Sequence, residues 1–496
     1  MGPRKFKILF SVILGILVIF IGTGCRKSDG GKGIPGEWRF IKDSQGRSLV
    51  LRGVNASGSA KWDPQRMPNL IKDDVLRLSK DWGFNVARFL ILWDYAEPEP
   101  GVYNQEYFNL IEERLDWFQE AGILVFLDMH QDLYSHEICP GGDGAPLWAV
   151  ITDGLPVDCN LASWAFIYFQ PGVTRAFDNF WNYSGPHPEL QDHYIALWAA
   201  VAERFKDHPA IIGYDIINEP FPGSDWDATE LAGKDNPNGP SKTFDKTKIQ
   251  PFYQRVINAI REKDTEHWIF FEPRYGTPAE GRTSYIGRMN DPRPGESRIV
   301  YSPHLYSLTI EAGATYDPIS NPIVLNWEET RKKELKTLQY PLLVGEWGIK
   351  KDLGNGPAFL QDVLDMYDRQ MAGFTYWDYS PTGGYSFINP DRSEYITFTT
   401  ALVRVYPQRV AGVPQSFSYN PDTRVFTMEY ISDPNATGPT EIYIPAERIY
   451  KSGWDLTMSD PDGSWTMDWD DTKEIASVTI GQGTTSSTHL LQILPK

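Results

Sequence analysis

The sequence predicts an α/β fold in which a (β/α)8 TIM barrel is followed by a small all-β sandwich domain. Eight apolar runs alternate with longer amphipathic stretches between Glu37 and about Arg404. After about Tyr406 the pattern changes to short runs of alternating apolar and polar residues with turn-forming residues between them. The length of 496 residues leaves room for two or three domains. We therefore place the barrel in residues 37–405 and the sandwich in residues 406–496.

The eight runs are continuously apolar, which is typical of strands that are buried on both faces. They occupy residues 49–55, 85–92, 123–128, 211–217, 268–271, 299–301, 342–344 and 373–376. Several of the stretches between them have the apolar spacing of helices. These helical stretches are residues 73–82, 105–121, 190–205, 249–263, 328–338 and 359–371. Eight strand–helix units in about 370 residues are typical of a TIM barrel with insertions.

One insertion, at about 133–188, has little regular pattern and many aromatic side chains. A loop of this length in a compact barrel is usually functional, and a local hydrophobic mini-core is the alternative interpretation. The insertion contains Cys139 and Cys159. In an oxidising compartment these two residues would form a disulfide, and two free thiols are the alternative.

The N-terminus has the order of residues that is typical of an export signal. Basic residues precede an apolar run over residues 8–21, and small residues follow up to Cys25. The run is short for a membrane span of about 20 residues. Small residues before a cysteine resemble a bacterial lipoprotein cleavage box, although Gly22 stands where that box usually has Leu. We predict a signal over 1–25 with lipidation of Cys25 and a flexible linker over 26–36; plain secretion and an uncleaved anchor are the alternatives.

Composition and charge exclude several classes of protein. Hydrophobic residues make up 41% of the chain and aromatic residues 14%, which excludes a disordered chain. The chain has 47 basic and 65 acidic residues and a formal net charge of −18. Phosphate backbones would repel such a surface, so we expect no nucleic-acid partner. The sequence gives no sign of an obligate protein partner.

Polar and aromatic residues stand at or just after the C-terminal ends of the apolar runs. In a TIM barrel these strand ends form the face that carries the active site. In chain order the residues are Asn55, Lys61, Arg88, Asp128, His130, Asp132, Asn218, Glu219, Glu272, His304, Tyr306, Glu346, Trp377 and Asp378. We expect them to converge on one pocket.

Two glutamates in this set have the sequence context of a catalytic pair. Glycoside hydrolysis with retention needs two carboxyl groups about 5 Å apart. A single glutamate at a strand end would be interpreted as a surface ion pair, but Glu219 in Asn-Glu-Pro and Glu346 in Gly-Glu-Trp-Gly are a specific combination. We predict that Glu219 is the acid/base and Glu346 the nucleophile, and that Glu219 lies in drier, more aromatic surroundings. We also expect Asn218 to bind a sugar 2-hydroxyl, Arg88 to keep Glu346 ionised, and Tyr306 to orient that carboxylate.

The histidines and the tryptophan of the set each have two interpretations. His130 and His304 could ligate a metal, but no third ligand lies at helical spacing, so hydrogen bonds to sugar or carboxylate are expected and no metal is predicted. Trp377 could belong to the core, although its position after the last strand favours a platform for a sugar ring. Two carboxyl groups and water suffice for the reaction, so no cofactor is expected.

These motifs together resemble glycoside hydrolase family 5, a retaining clan of (β/α)8 enzymes, over about residues 45–380. The stretches that resemble the endoglycoceramidase group of that family are 51–55 with Lys61, 128–132, 142–146, 176–181, 303–306 and 406–414. The resemblance implies cleavage of the β-glycosidic bond between the oligosaccharide and the ceramide of glycosphingolipids, at a membrane or micelle surface. It assigns the acid/base to Glu219 and the nucleophile to Glu346. The substrate-binding residues that we assign are Lys61, Arg88, Asp128, His130, Asp132, Trp164, Asn218, His304, Tyr306 and Trp377.

Other functions remain compatible with the same motifs. A family 5 endoglucanase or mannanase would use the same two glutamates on a soluble polysaccharide, and a related β-glucosidase would act on glucosylceramide. A lipidated sugar- or glycolipid-binding protein with an inactive barrel is a different class, which the intact pair of glutamates disfavours. The C-terminal domain could bind carbohydrate, although structural support of the barrel is the more common role.

Overall fold

The computed structural model describes residues 34–161, 164–231, 236–481 and 487–496. The predicted signal over 1–25, the predicted lipidation site Cys25 and most of the predicted linker lie outside the described residues.

Among the described residues, no helix combines the length and the apolar character needed to cross a membrane.

Strands of three groups follow one another along the chain. A short N-terminal hairpin consists of β1 (Ile41–Lys42) and β2 (Ser48–Leu49). The barrel strands are β3 (Arg52–Ala56), β4 (Val86–Leu92), β5 (Leu124–His130), β6 (Ile211–Asp215), β7 (Trp268–Phe271), β8 (Ile299–Tyr301), β9 (Leu343–Val344) and β10 (Gly373–Tyr376). The C-terminal strands are β11 (Tyr406–Val410), β12 (Gly412–Asn420), β13 (Val425–Ser432), β14 (Thr440–Tyr443), β15 (Trp454–Met458), β16 (Trp465–Asp470), β17 (Ile475–Ile480) and β18 (Thr488–Pro495).

The α-helices lie mainly between the barrel strands. In chain order they are α1 (Lys72–Lys80), α2 (Trp93–Ala96), α3 (Gln105–Glu120), α4 (Pro171–Trp181), α5 (Glu189–Phe205), α6 (Ala228–Leu231), α7 (Pro240–Phe244), α8 (Gln250–Arg261), α9 (Leu308–Glu311), α10 (Ile323–Leu338), α11 (Gly356–Gln370), α12 (Ile396–Leu402) and α13 (Ala446–Ile449).

The barrel strands form one parallel sheet in the order β8-β7-β6-β5-β4-β3-β10-β9. A parallel bridge between Tyr301 and Leu342 joins its two ends. Each of these strands overlaps one predicted apolar run, so the predicted barrel is confirmed. The side chains inside the sheet are apolar at the end where the strands begin, where Phe126 stacks on Phe270 with ring centroids 4.4 Å apart. The polar residues lie at the opposite end, where the strands finish.

The C-terminal strands form two antiparallel sheets, as predicted. Their orders are β1-β2-β11-β14-β17-β16 and β12-β13-β18-β15. The N-terminal hairpin β1–β2 thus completes a sheet of the C-terminal domain, because β2 pairs with β11. One short helix, α13, follows Pro445 within this predicted all-β domain.

The aromatic insertion is more regular than we predicted. It contains the helix α4 and a 3-10 segment over Trp164–Phe169. Phe177, Phe180 and Trp181 of α4 are all buried, together with Val173 on its first turn. Val173, Ala176, Phe177, Phe180 and Trp181 recur at the spacing of an amphipathic helix, so the helical period is present in the sequence and the prediction of little regular pattern was wrong here.

The two cysteines of the insertion are joined. The structure links Cys139 to Cys159 by a disulfide with the Cα atoms 5.7 Å apart, as the cysteine count predicts. Cys139 is fully buried, so the bond attaches the first part of the insertion to the core.

Candidate active site

Arg88 lies at the centre of the polar end of the barrel. It is part of β4 and its side chain is fully buried. Its Nη1 donates to Oε1 of Glu346 at 2.7 Å, and its Nε donates to Oδ2 of Asp215 at 3.0 Å. Its Nη2 lies 2.9 Å from Oδ1 of Asp128 and 2.8 Å from Oε1 of Glu272. One guanidinium therefore connects carboxylates from four neighbouring parts of the barrel, including the predicted nucleophile.

Glu346 follows β9 and is almost completely buried. Besides Arg88, the hydroxyl of Tyr306 donates to its Oε2 at 3.1 Å, which is the contact that we expected. Burial raises the pKa of Glu346, and the positive charges of His304 and Arg88 oppose that effect. The two cations thus favour the carboxylate form that a nucleophile requires.

Glu219 follows β6 with a left-handed backbone conformation, at φ 39°. Its backbone N–H donates to Oε2 of Glu272 at 2.8 Å, and its carbonyl accepts from Nε2 of Gln131 at 3.0 Å. The Glu219 side chain is 16% exposed, against 7% for Glu346. The expectation that the acid/base has the drier surroundings was therefore wrong. Glu346 sits deeper because it is held against Arg88, whereas Glu219 is at the rim.

His304 contacts both predicted catalytic carboxyls. Its Nδ1 lies 2.9 Å from Oε1 of Glu219 and 3.8 Å from Oε2 of Glu346. Burial alone would lower the pKa of His304, but the charges of Glu272 and Glu346 raise it well above its ordinary value. A cationic ring shared by Glu219 and Glu346 holds the two carboxyls close together, which favours the separation of about 5 Å found in retaining enzymes.

Lys61, Asp132 and Trp377 form a group at the pocket wall beside His130. The Lys61 ammonium is bonded to Asp132 and lies 4.7 Å from the centre of the Trp377 ring. The Trp377 ring stacks on His130 with centroids 5.7 Å apart. Burial opposes both charges of the pair, yet their attraction raises the pKa of Lys61 and lowers that of Asp132. Burial and the neighbouring ammonium lower the pKa of His130, which is therefore neutral.

Arg88 and Asp128 of the predicted substrate-binding set contact other side chains of the site. Neither side chain has exposed surface, and the oxygens of Asp128 contact Nδ1 of His130 at 2.6 Å and Nη2 of Arg88 at 2.9 Å. Both residues hold neighbouring side chains of the site in place, and a substrate-binding role for them stays a prediction.

The other predicted residues lie around this group. Asn218 accepts from Arg88 Nη2 at 3.0 Å and donates to the carbonyl of Gln131 at 3.0 Å. Trp164 is 49% exposed at the start of the 3-10 segment, with its ring 5.7 Å from that of Tyr168. The hydroxyl of Tyr168 donates to Oδ1 of Asp132 at 3.0 Å, so Trp164 is connected to the pocket through one side chain.

Two groups of donor atoms close enough to share a cation occur among the described residues. They are His130 with Asp132 and Asp143, and Asp128 with Asp215 and Glu272. Of the two histidines considered as metal ligands, His130 belongs to the first group and His304 to neither. The ammonium of Lys61 is bonded to Asp132 of the first group, and the guanidinium of Arg88 contacts all three members of the second.

Four residues of the site received no role from the sequence. Asn55 accepts from Arg88 and donates to the carbonyl of Gly345, and Gln131 supports the Asn-Glu-Pro turn. Asp215 and Glu272 bind Arg88 from below. A signal was present for Asn55 and Glu272, because each ends or follows an apolar run. Asp215 lies within a run, where the sequence gives no indication of the face on which it lies.

The arrangement supports a double displacement. Glu346, oriented by Arg88 and Tyr306, can attack the anomeric carbon from one side of a bound sugar. Glu219 can protonate the leaving oxygen and then remove a proton from the water that releases the sugar. The groups around Trp377 and Lys61 provide a stacking surface and polar partners for hydroxyl groups.

The fold and the paired carboxyls define a retaining glycoside hydrolase. The profile of cellulase (glycosyl hydrolase family 5) matches residues 42–383, and that of the glycoside hydrolase family 5 C-terminal domain matches residues 404–493. The chain therefore belongs to glycoside hydrolase family 5.

Several relatives are similar over most of their length. An endoglycoceramidase of Hydra vulgaris is 26% identical over 475 residues, covering 89% of this chain and 86% of that protein. Endo-glycoceramidase II from Rhodococcus sp., solved in complex with ganglioside GM3, is 34% identical with a TM-score of 0.83 and covers 92% of this chain and 99% of its own. The same Rhodococcus protein solved as a lactosyl-enzyme intermediate has a TM-score of 0.81, with the same identity and coverage.

Proposed function

We propose that this protein is an endoglycoceramidase, which hydrolyses the β-glycosidic bond between the oligosaccharide and the ceramide of glycosphingolipids. The proposed substrate class follows from the Rhodococcus relative, which was solved in complex with ganglioside GM3. The similarity to that protein covers nearly the whole length of both chains. The lactosyl-enzyme intermediate of that protein agrees with a covalent step of the kind that Glu346 is placed to perform.

A path of aromatic side chains beside the acid/base Glu219 is the observation that supports ceramide as the leaving group. Tyr275 lines the pocket next to Glu219, and its ring lies 6.4 Å from that of Trp226. Trp226 in turn contacts Phe169, at 5.1 Å between centroids. Phe169 is 39% exposed and Phe166 is 62% exposed. The leaving group departs on the side of the catalytic acid, so this path suits a ceramide better than the second sugar of a polysaccharide.

Product analysis tests the substrate. The purified protein is incubated with ganglioside GM3, with glucosylceramide and with a soluble β-glucan, and the Glu346→Gln protein serves as the control. We expect an intact trisaccharide and free ceramide from the ganglioside, and no product with Glu346→Gln. Release of glucose from glucosylceramide alone would indicate a β-glucosidase, and release from the glucan alone would indicate a polysaccharide hydrolase.

We also propose that the insertion contacts the membrane or micelle that holds the substrate. Leu147, Trp164 and Phe166 are 68%, 49% and 62% exposed, an unusual exposure for large apolar side chains in one segment. The double variant Leu147→Ser/Phe166→Ser should sediment less with ganglioside vesicles. Leu490→Ser, at a 39% exposed leucine of the C-terminal domain, should behave as the unmodified protein. Equal sedimentation of all three proteins would contradict the proposal.

The location of the protein is a further proposal. We propose export through the signal over 1–25, with a lipid on Cys25 that keeps the enzyme at a membrane, and plain secretion as the alternative. Expression of the full chain in a bacterial host with radiolabelled palmitate tests this. A labelled protein that becomes unlabelled in Cys25→Ala supports the anchor, whereas an unlabelled protein in the culture medium supports secretion.

A further inference from the structure

Glu272 is a buried carboxyl that lies directly beneath the acid/base. It follows β7 and is 1% exposed. Arg88 fixes its position, because Nη2 of Arg88 donates to Oε1 of Glu272 at 2.8 Å. The charged groups that face it are Arg88 from β4, Asp128 from β5, Asp215 from β6, Glu219 after β6 and His304 after β8.

Two separate contacts join Glu272 to Glu219. Oε2 of Glu272 accepts the backbone N–H of Glu219 at 2.8 Å. Oε1 of Glu272 lies 3.2 Å from Nε2 of His304, and Nδ1 of the same ring is bonded to Oε1 of Glu219 at 2.9 Å. Glu272 thus reaches both the main chain of the acid/base and, through one imidazole ring, its carboxyl group.

The backbone of Glu219 needs such support. Its φ of 39° lies in the left-handed region, which residues with a Cβ adopt only where the surroundings fix them. A hydrogen bond to the N–H of the residue itself fixes the direction in which its side chain leaves the main chain.

We propose that Glu272 is a positioning residue that aims the acid/base Glu219 at the leaving oxygen, through the Glu219 backbone and through His304. Its negative charge holds the His304 ring in the cationic form, so both ring nitrogens carry a proton and Nδ1 donates to Glu219. Burial raises the pKa of Glu272 itself to about 7, which is consistent with a carboxyl that titrates together with this cluster.

A series of aryl β-lactosides with leaving groups of different acidity tests the proposal. The inference rests on the retaining reaction and not on ceramide as the leaving group, so it can fail or hold independently of the proposed substrate. A poor leaving group such as phenol depends on the catalytic acid, whereas 2,4-dinitrophenol departs without a proton. We expect Glu272→Gln to lower kcat/KM, which reports the glycosylation step alone, about 100-fold for phenyl lactoside and only a few-fold for 2,4-dinitrophenyl lactoside.

The pH profile is a second readout. Loss of the Glu272 charge lowers the pKa of His304, so we expect the alkaline limb of kcat/KM to move to lower pH by on the order of one unit. Glu272→Asp keeps the negative charge, so its alkaline limb of kcat/KM should move less than that of Glu272→Gln. Glu97→Gln is the matched control, since Glu97 is also buried, accepts the Gly101 N–H at 2.7 Å and contacts His193 at 2.7 Å, outside the site.

Three outcomes would overturn the proposal. In the first, Glu272→Gln keeps its kcat/KM for phenyl lactoside within about threefold, which is far less than a misaligned acid would cost. In the second, kcat/KM falls by one factor for every leaving group, as a general loss of folded protein would produce. In the third, the pH profile of Glu272→Gln coincides with that of Glu97→Gln.

Discussion

Glu346 and Glu219 are chemically identical, and their neighbours give them different roles. Glu346 receives hydrogen bonds from Arg88 and Tyr306 on its carboxylate, which favours the ionised form. Glu219 is held by its backbone and by one contact to His304, and its carboxyl remains partly exposed at the rim. The rim position leaves Glu219 accessible to a leaving group and then to water, as both halves of its role require.

Glu219→Ala tests the assignment of the two roles. Without the acid, turnover of the glycolipid should fall by about 10³-fold, whereas 2,4-dinitrophenyl lactoside should still form the glycosyl-enzyme. Azide is small and needs no general base, so it should restore turnover and yield the β-lactosyl azide. Nuclear magnetic resonance of the product identifies the anomer. If Glu346→Ala and not Glu219→Ala gave the β-azide, the two roles would be exchanged.

The insertion at about 133–188 adds a helix, a 3-10 segment and a disulfide to the eight strand–helix units of the barrel. Its helix α4 packs into the core, its 3-10 segment carries Trp164 and Phe166, and its disulfide closes a loop. The hydroxyl of Tyr168 connects it to Asp132 of the pocket. The insertion therefore contributes both to the pocket wall and to the exposed apolar surface.

Removal of the Cys139–Cys159 disulfide tests how much the order of the insertion depends on this covalent bond. A loop with a sequence separation of 20 residues gains about 3 kcal/mol from a disulfide in the chain-entropy account. We expect the Cys139→Ser/Cys159→Ser variant to be cleaved faster within the insertion by a protease, and to lose more activity on glycolipid than on aryl lactosides. Reduced unmodified protein should behave in the same way. Equal cleavage rates would show that packing alone orders the segment.

At the scale of the whole molecule, the C-terminal domain is continuous with the barrel. Strand β11 pairs with β2, and the hydroxyl of Tyr406 donates to the carbonyl of Gly83 at 2.7 Å. Asp368 of α11 is paired with both Arg52 and Arg404 in a buried group between the domains. These contacts indicate structural support and not an independent binding module.

Truncation after residue 411 checks that interpretation. The deletion would expose the apolar residues that the barrel shares with β12 and β13, so we expect the barrel to be lost from the soluble fraction. Comparison of soluble expression with that of the full chain measures this. A soluble, active barrel with weaker substrate binding would instead support a carbohydrate-binding role for the domain.

The buried carboxyls predict how stability depends on pH. Burial raises the pKa of Glu272 to about 7 and that of Asp378 to about 6 in the folded protein. The unfolded chain loses these protons at lower pH, so between the ordinary pKa and the raised pKa of each carboxyl the folded state binds more protons than the unfolded state. The free energy of unfolding therefore falls as pH rises through that range. We expect Tm to fall from about pH 5 to about pH 8. Calorimetry checks this, and Glu272→Gln should show a smaller fall; a Tm that rises over this range would contradict it.

The sequence by itself determines the barrel, its eight strands, the C-terminal sheets and the two glutamates. Local patterns suffice for these features, because strands buried on both faces are continuously apolar and because the active-site residues of a TIM barrel follow its strands. The helix α4 was also within reach of the sequence, because its apolar residues recur at helical spacing, but the many aromatic residues around it led us to predict an irregular segment.

Only the tertiary structure decided which polar residues contact one another at this end of the barrel. Asp128 and His130 are two positions apart on one strand and both are buried, yet Asp128 lies against Arg88 while His130 stacks on Trp377. Glu272 contacts a backbone N–H from a different strand end. Such contacts join residues that are far apart in the chain, and burial, which depends on every neighbour at once, sets the charge that each group carries.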